Sequence, residues 1–500
     1  MPGGKIKIRP YQEFLCVRKE KGVEMEEQTQ VKCAEREQPV QNKPLFSNQM
    51  LVRLIIPLVI EQFLLMSVGM ADTVMVTTAG EAAVSGVSLV DNINNLMLQI
   101  FAALSTGGAV VVSQYLGRKE PEHARTAAKQ LLYAVTVLSS VIMILCLIFR
   151  EHLLSLIFGS INDDVMDSAV AYFVSTALAY PFMALYNAGA ALFRSMGNSK
   201  VSMFNSLIVN IVNIAVNAIL IFGFGMGSLG AGIGTLTSRI VAAVIILFLL
   251  QHRDCILRIE HMFRPEFHWA MVRRILTIGI PTGLENGLFQ VGKLMVLSLI
   301  TSFDAGVNLA VVGSAVAANA IANSVAGVIN VPGQAIGLAM VTVVGQCVGA
   351  QLLDQAVRYT RKLMIITYIS MGTMAVILFF SANWLVTLFN LSVPAAAMAA
   401  QVLQWNSVFV LIFWPMSFTL PNALRAAGDA MFTMSVSLIS MFTCRIILSY
   451  VLGADAVFGI PMAGLHLLGV WIAMFCDWIV RAVLFLVRFW RGKWKQIQLI

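Results

Sequence analysis

The chain has 500 residues, 58% of them hydrophobic and 12% charged, with a mean hydropathy of +0.80 and a formal net charge of +8. Soluble domains average about 25% charged residues, so this composition cannot cover a water-facing surface, and it equally excludes disorder, collagen and a small disulfide scaffold. What remains is a polytopic membrane protein, in which the placement of positive charge matters more than its sum.

Residues 1–50 carry nine basic and seven acidic side chains with little apolar periodicity, and read as a cytoplasmic, largely disordered tail. They contain no apolar core of a cleavable signal. From Leu54 onward, twelve segments are long and apolar enough to span a hydrocarbon core about 30 Å thick. They cover 54–76, 87–112, 127–149, 165–190, 201–223, 228–250, 271–300, 310–344, 360–380, 395–422, 434–453 and 461–487. Pro332 interrupts the eighth and Pro415 and Pro421 the tenth, both long enough to kink or tilt. Residues 251–270 form a charged cytoplasmic linker, and 488–500 a basic cytoplasmic tail. The seven cysteines (Cys16, Cys33, Cys146, Cys255, Cys347, Cys444 and Cys476) lie without metal-ligand spacing, most of them in apolar runs. They read as small hydrophobes, with neither a disulfide nor zinc expected.

Placing the N-terminus in the cytoplasm puts 30 of the 34 Lys and Arg residues on the inner side. Arg150 alone falls in an outer loop, and Arg239, Lys293 and Arg445 fall inside spans. This asymmetry is what the positive-inside rule demands, and it requires an even number of spans with both termini inside.

The chain also repeats itself. Ile56-Pro-Leu-Val-Ile-Glu-Gln62 resembles Ile280-Pro-Thr-Gly-Leu-Glu-Asn286, and Ser113-Gln-Tyr-Leu-Gly117 resembles Gly345-Gln-Cys-Val-Gly349. Leu192-Phe-Arg-Ser-Met-Gly-Asn198 resembles Ala423-Leu-Arg-Ala-Ala-Gly-Asp429, in phase at Arg194/Arg425 and Gly197/Gly428. Three matches in the same order, at offsets of 224, 232 and 231, imply two six-span halves, 51–250 and 271–487. The slip in offset places a longer outer loop around Thr301–Asn308. An even span count per half gives a parallel repeat, related by a pseudo-two-fold along the membrane normal, as in transporters that rock about a central cleft. The expected fold is therefore an all-α polytopic membrane protein of twelve transmembrane helices in two six-helix bundles.

These residues resemble the multidrug and toxic compound extrusion (MATE) family. Gly69-Met-Ala-Asp-Thr-Val-Met-Val76 is similar to its first-helix G-x-x-D-T-x-M-V signature, and Ser113-Gln114 with Gly117 to its S-Q-x-x-G turn. The two turns around Arg194 and Arg425 are similar to L-R-x-x-G-[DN], and Asn213-Ile-Ala-Val-Asn217 to the fifth-helix N-x-x-x-[DN] stretch. The resemblance covers essentially everything after residue 50. It implies a secondary antiporter that expels cationic or amphiphilic compounds against Na⁺ or H⁺. By position it implies a cation site of Asp72, Asn213 and Asn217, with Thr237 (or Thr235) as a fourth ligand. The family often has Asp where Asn217 stands, and helix seven has Val296 rather than Asp opposite Asp72.

A charge at bilayer depth costs about 2.5–3.5 kcal/mol on insertion scales, so each needs a reason. Asp72 reads as a carboxylate that trades a proton or Na⁺ against substrate, or else as an interfacial cap. Glu61 and Glu285 each follow a proline by four residues (Pro57, Pro281) and sit in matching positions. They are expected to face each other across the cleft as substrate or proton contacts; the alternatives are capping and pairing with a nearby base. Lys293 lies two turns past Glu285, as half of an ion pair or as an anion contact. Structural pairing is the default for Arg239, Arg445 and Asp477, and snorkelling or binding of helix-end carbonyls for Arg194 and Arg425. Asn92, Asn94, Asn95, Asn205 and Asn210 read as interhelical glue, and Met66, Met70, Met75, Met97, Met183 and Met295 chiefly as filler.

No catalytic motif or nucleotide domain is present, so an enzyme and an ATP-driven pump are both disfavoured. The expected function is cation-coupled export by alternating access, with a flippase for a lipid-linked saccharide or cell-wall precursor as the alternative, and a channel third. A flippase for a pyrophosphate lipid needs a basic cavity, whereas Asp72, Glu61 and Glu285 against Lys293 give a mixed or acidic one. No cofactor beyond the coupling ion is expected. The expected partners are small cationic or amphiphilic substrates and the bilayer, with no nucleic acid, in a monomer at the plasma membrane.

Overall fold

Runs rich in Leu, Ile, Val and Ala have one way to satisfy every backbone N–H and C=O within a single lipid-facing segment, the α-helix, and helices are what these runs form. The structure, a computed structural model, describes residues 44–159, 162–259, 266–304, 314–457 and 460–500, and the side chains of Met70, Thr73, Val457 and Ile460 are outside that description. Cys16, Cys33, nearly all of the tail predicted to be disordered and most of the longer outer loop lie outside the described residues.

In chain order the helices are α1 (Asn48–Thr77), α2 (Glu81–Gly117), α3 (Pro121–Ile148), α4 (Arg150–Phe158), α5 (Asp163–Leu178), α6 (Tyr180–Ser195), α7 (Ser199–Ala218) and α8 (Gly227–Gln251). There follow α9 (Trp269–Phe303), α10 (Ala315–Gly349), α11 (Leu353–Thr387), α12 (Val393–Ile412), α13 (Leu420–Ala426), α14 (Ala430–Ser440), α15 (Leu448–Gly453) and α16 (His466–Trp490). Eleven segments are long and apolar enough to cross a membrane alone, and α5 with α6 makes a twelfth, bent by 45°. The bend has a cause: Pro181 lacks an N–H, and its ring crowds the carbonyl of Ala177. Wider π turns prolong α7 (Ile219–Gly223), link α12 to α13 (Pro415–Thr419) and join α14 to α15 (Met441–Ile447). Among the described residues the only strand pairing is a two-residue ladder, Ala456–Val457 with Ile460–Pro461.

Each half has its own apolar core, one built around Phe101, Phe173, Tyr180 and Ile246, the other around Met371, Leu403, Trp414 and Met441. The halves also exchange elements at the end that carries the basic loops. Leu51, Leu54 and Leu58 of α1 pack into a cluster with Ile336, Met340 and Leu363 of the second half. Reciprocally, Met271 and Ile275 of α9 join the core of the first.

The same end is closed by α2 and α10. Gln114 Nε2 donates to the carbonyl of Ala426 at 2.8 Å, and Gln346 Nε2 to the carbonyl of Ser195 at 2.7 Å. Gln114 and Gln346 are repeat partners, and so are Ser195 and Ala426; a two-fold relation between the halves produces just such reciprocal contacts. Gly117 and Gly349, also partners, touch the backbone of the opposite motif so closely that a Cβ on either would overlap a carbonyl. Small residues let membrane helices approach in this way. Toward the other end Asn92 and Asn95 of α2 are exposed.

Candidate functional site

Asp72 lies in the last turns of α1, at the end away from the basic loops, half-buried. Asn217 Nδ2 donates to its Oδ1 at 2.7 Å and, at 3.4 Å, to Oδ1 of Asn213 one turn earlier on α7. The structure thus brings together three of the predicted ligands. Asn217 can lie this deep because Gly234 of α8 leaves space that a Cβ would take from its Oδ1. That oxygen is buried with no hydrogen-bond donor among the described residues. The threonine that meets the surrounding network is Thr235, beside Tyr172. Thr237, two residues on and half-buried, lies about 200° around α8.

A second carboxylate, which the sequence reading passed over, completes the group. Asp91 of α2 accepts from the Tyr172 hydroxyl at 3.0 Å and from Asn94 Nδ2 at 3.4 Å, while Tyr180, at the α5–α6 bend, donates to Asn94 Oδ1 at 3.0 Å. Asp91 is electrostatically coupled to Asp72. So is Arg239 of α8, which also faces Tyr172 and Tyr186 and whose Nε has no hydrogen-bond partner among the described residues. Two carboxylates against one guanidinium leave the group net acidic. The available signal for Asp91 was its own charge within the second predicted span, beside the cluster at Asn92, Asn94 and Asn95.

Glu61 and Glu285 depart from the expected arrangement. Each turns to an arginine of its own half and is buried, at 2% and 7% exposure. Arg194 Nη1 donates to Glu61 Oε1 at 2.9 Å, and Ser202 to Oε2 at 2.6 Å. Arg425 Nη2 bridges both oxygens of Glu285 at 2.7 Å and its Nη1 reaches Asn422 at 3.1 Å. Arg194 and Arg425 are therefore neither snorkelling nor capping; they neutralise the two carboxylates that follow the prolines. The physical reason is that a buried carboxylate is tolerated only when paired and hydrogen-bonded. The repeat matches Arg194 with Arg425 and Glu61 with Glu285, so one pair implies the other.

In the second half the balance reverses. Asp477 of α16 binds Arg481 Nε at 2.8 Å through Oδ1, with Arg445 Nη1 3.8 Å from its Oδ2 and the Ser440 hydroxyl 2.6 Å from Oδ1. Arg445 and Asp477 are thus structurally paired, as expected. Lys293, by contrast, has no carboxylate partner among the described residues; its Nζ lies 5.3 Å from the centroid of the Phe289 ring.

The sequence model of the MatE family matches residues 57–219 and 281–451. The chain belongs to the MatE family. Its members are transporters, not enzymes, and this one is a multi-pass membrane protein. The chain is 26% identical over 453 residues to the probable multidrug resistance protein NorM of Thermotoga maritima, covering 89% of this chain and 93% of that one. It is 27% identical to the uncharacterized transporter YisQ of Bacillus subtilis over 462 residues, covering 91% and 96%. Its fold is similar to that of an outward-facing multidrug resistance MATE family transporter of the MOP superfamily, with a TM-score of 0.80 at 20% identity over 90% of this chain and 97% of the other.

Proposed function

We propose that this MatE transporter exports cationic or amphiphilic compounds in exchange for Na⁺ or H⁺ by alternating access, as a monomer in the plasma membrane with both termini cytoplasmic. The observation that carries this reading is the group of Asp72, Asn213 and Asn217 beside Asp91. It is net acidic and lies within membrane-spanning helices, at the end of α1 away from the seal between α2 and α10. Charges placed there mark ion and substrate paths by default. The names of the relatives, a multidrug resistance protein among them, support the choice of cargo.

The chemistry follows from the Asn217 amide. In the structure its N–H serves Asp72 and its oxygen has no donor. A half-turn of the amide exchanges the two. A Na⁺ ion then finds oxygens from Asp72, Asn217 and Asn213, the hard ligands that such a cation requires. A proton instead sits on Asp72 and is donated to Asn217 Oδ1. Either event cancels the charge of Asp72 and removes its repulsion with Asp91. Both also weaken its hold on a cationic substrate, which couples ion entry to substrate release.

The flippase reading draws on one observation, the surplus of cations around Phe289. Against it stands the acidic group of the first half. A single experiment separates the two: efflux of a fluorescent organic cation from proteoliposomes under an imposed Na⁺ or H⁺ gradient. Gradient-dependent efflux that Asp72→Asn abolishes is the expected result; wild type without gradient dependence, or full activity in Asp72→Asn, overturns it. Transfer of a labelled lipid-linked saccharide between leaflets without either gradient supports the flippase.

A further inference from the structure

Phe289 of α9 is surrounded by positive charge. The guanidinium carbons of Arg445 and Arg481 lie 4.7 and 5.1 Å from its ring centroid, and Lys293 Nζ lies 5.3 Å away. Asp477 is the carboxylate that serves this group: its Oδ1 is taken by Arg481 and Ser440, and its Oδ2 lies 3.8 Å from Arg445 Nη1. Arg445 Nη2 is left with the Met474 thioether at 3.1 Å, a weak acceptor, and Lys293 with an aromatic face. Glu285, two turns away, is held by Arg425. Three cations with one carboxylate at bilayer depth lack a balancing anion, and cations placed there are expensive.

The face of α9 that carries Lys293 turns toward the other half. Asn286 of α9 reaches Gln99 of α2 across the halves at 3.4 Å. Lys293 lies seven residues further, on the same helix face, and is exposed. Behind it the wall is aromatic: Phe418 lies 6.4 Å from Phe289 and 6.0 Å from Trp478, whose buried indole N–H has no acceptor among the described residues.

We propose that the second half carries an anion subsite, ringed by Lys293, Arg445 and Arg481 around Phe289, that takes the carboxylate of an aromatic zwitterionic substrate. Lys293 at the mouth captures the carboxylate, the two arginines supply the field behind it, and Phe289 and Phe418 receive the aromatic body. Substrates of this transporter then carry both signs of charge: the acidic group of the first half attracts the cationic end, and the basic ring of the second attracts the anionic one. The proposal rests on export by alternating access, as under Proposed function.

Its test reads binding without any gradient, so a failure of ion coupling leaves it standing and its own failure leaves the role of Asp72 standing. The full chain is placed in phosphatidylcholine nanodiscs and titrated with rhodamine 110, which has a free carboxylate, and with rhodamine 123, its methyl ester, by fluorescence anisotropy. Wild type binds the acid more tightly than the ester. Lys293→Gln weakens the acid at least tenfold, about 1.4 kcal/mol, and leaves the ester within about twofold; Lys293→Arg restores the acid. Retained ester binding shows that the variant is folded. Equal loss of both dyes, no change in either, or a wild type that prefers the ester or binds neither overturns the proposal. Phosphatidylglycerol that displaces the acid from wild type but not from Lys293→Gln places a lipid phosphate there instead, and overturns it as well.

Discussion

Glu61 and Arg194 show what a single residue can and cannot reveal. A carboxylate four residues after a proline, repeated in both halves, stands out in the sequence as exceptional, but nothing local says whether it meets substrate or base. The two members of the pair are 133 residues apart, and only packing of α1 against α6 and α7 joins them. Removing one partner leaves a buried charge uncompensated, which typically costs about 3–5 kcal/mol. Arg194→Ala is therefore expected to lower thermal stability in detergent sharply, and Glu61→Gln with Arg194→Gln to recover much of the loss. A double-mutant cycle of melting temperatures checks this; additive losses would remove the pair's structural role. Asp91 is the converse case. Its significance comes from Tyr172, Asn94 and Asp72, which are gathered from other turns and helices, so its charge alone gave little warning.

Among the elements, α2 and α10 carry the most consequence. Both are rich in Ala, Gly and Val, and both are deeply buried at the basic end. Their positions as spans were legible from apolar length; their contact was not, since apolar length does not say which helices touch. The Ser-Gln-x-x-Gly and Gly-Gln-x-x-Gly stretches are the places where they meet, and the meeting depends on Gly117 and Gly349. A methyl at Gly117 would overlap the Gln346 carbonyl, and backbone cannot yield as a side-chain tip can. Gly117→Ala is thus expected to shift the population toward a state open at the basic end. The readout is maleimide labelling of Ser113→Cys, a position fully buried in the structure, which should speed up by about tenfold for a shift of about 1.4 kcal/mol. An unchanged rate would show that the glycine is not part of the seal. The three π turns are element-scale features as well. They adjoin Asn217, bring in Phe418 and carry Arg445, in line with the tendency of such turns to occur where side chains are re-aimed for function.

At the scale of the whole molecule, one end is sealed by contacts that occur in two-fold pairs, while away from that seal the first half carries an acidic group and the second a basic one. Transport by rocking requires that seal to break in every cycle. Ser113→Cys with Gly345→Cys, in a background free of other cysteines, tests this, because a Cβ at Gly345 would lie 2.9 Å from that of Ser113, so the two helices need part by only about 1 Å to reach the separation of about 3.8 Å that a disulfide takes. Oxidation is expected to abolish efflux and reductant to restore it; undiminished efflux by the cross-linked protein would exclude opening at this seam. The twelve spans, the repeat and the side that collects positive charge are determined by the sequence itself, because apolar length and charge placement are local quantities that a bilayer reads directly. Asp72 with Asn213 and Asn217 was legible through the family resemblance. Tertiary structure alone decided that Glu61 and Glu285 are neutralised within their own halves, that Asp91 joins Asp72, and that Lys293, Arg445 and Arg481 share one aromatic ring. The reason is physical: the energy of a charge in a membrane depends on what stands within a few ångströms of it, and those neighbours come from helices far apart in the chain.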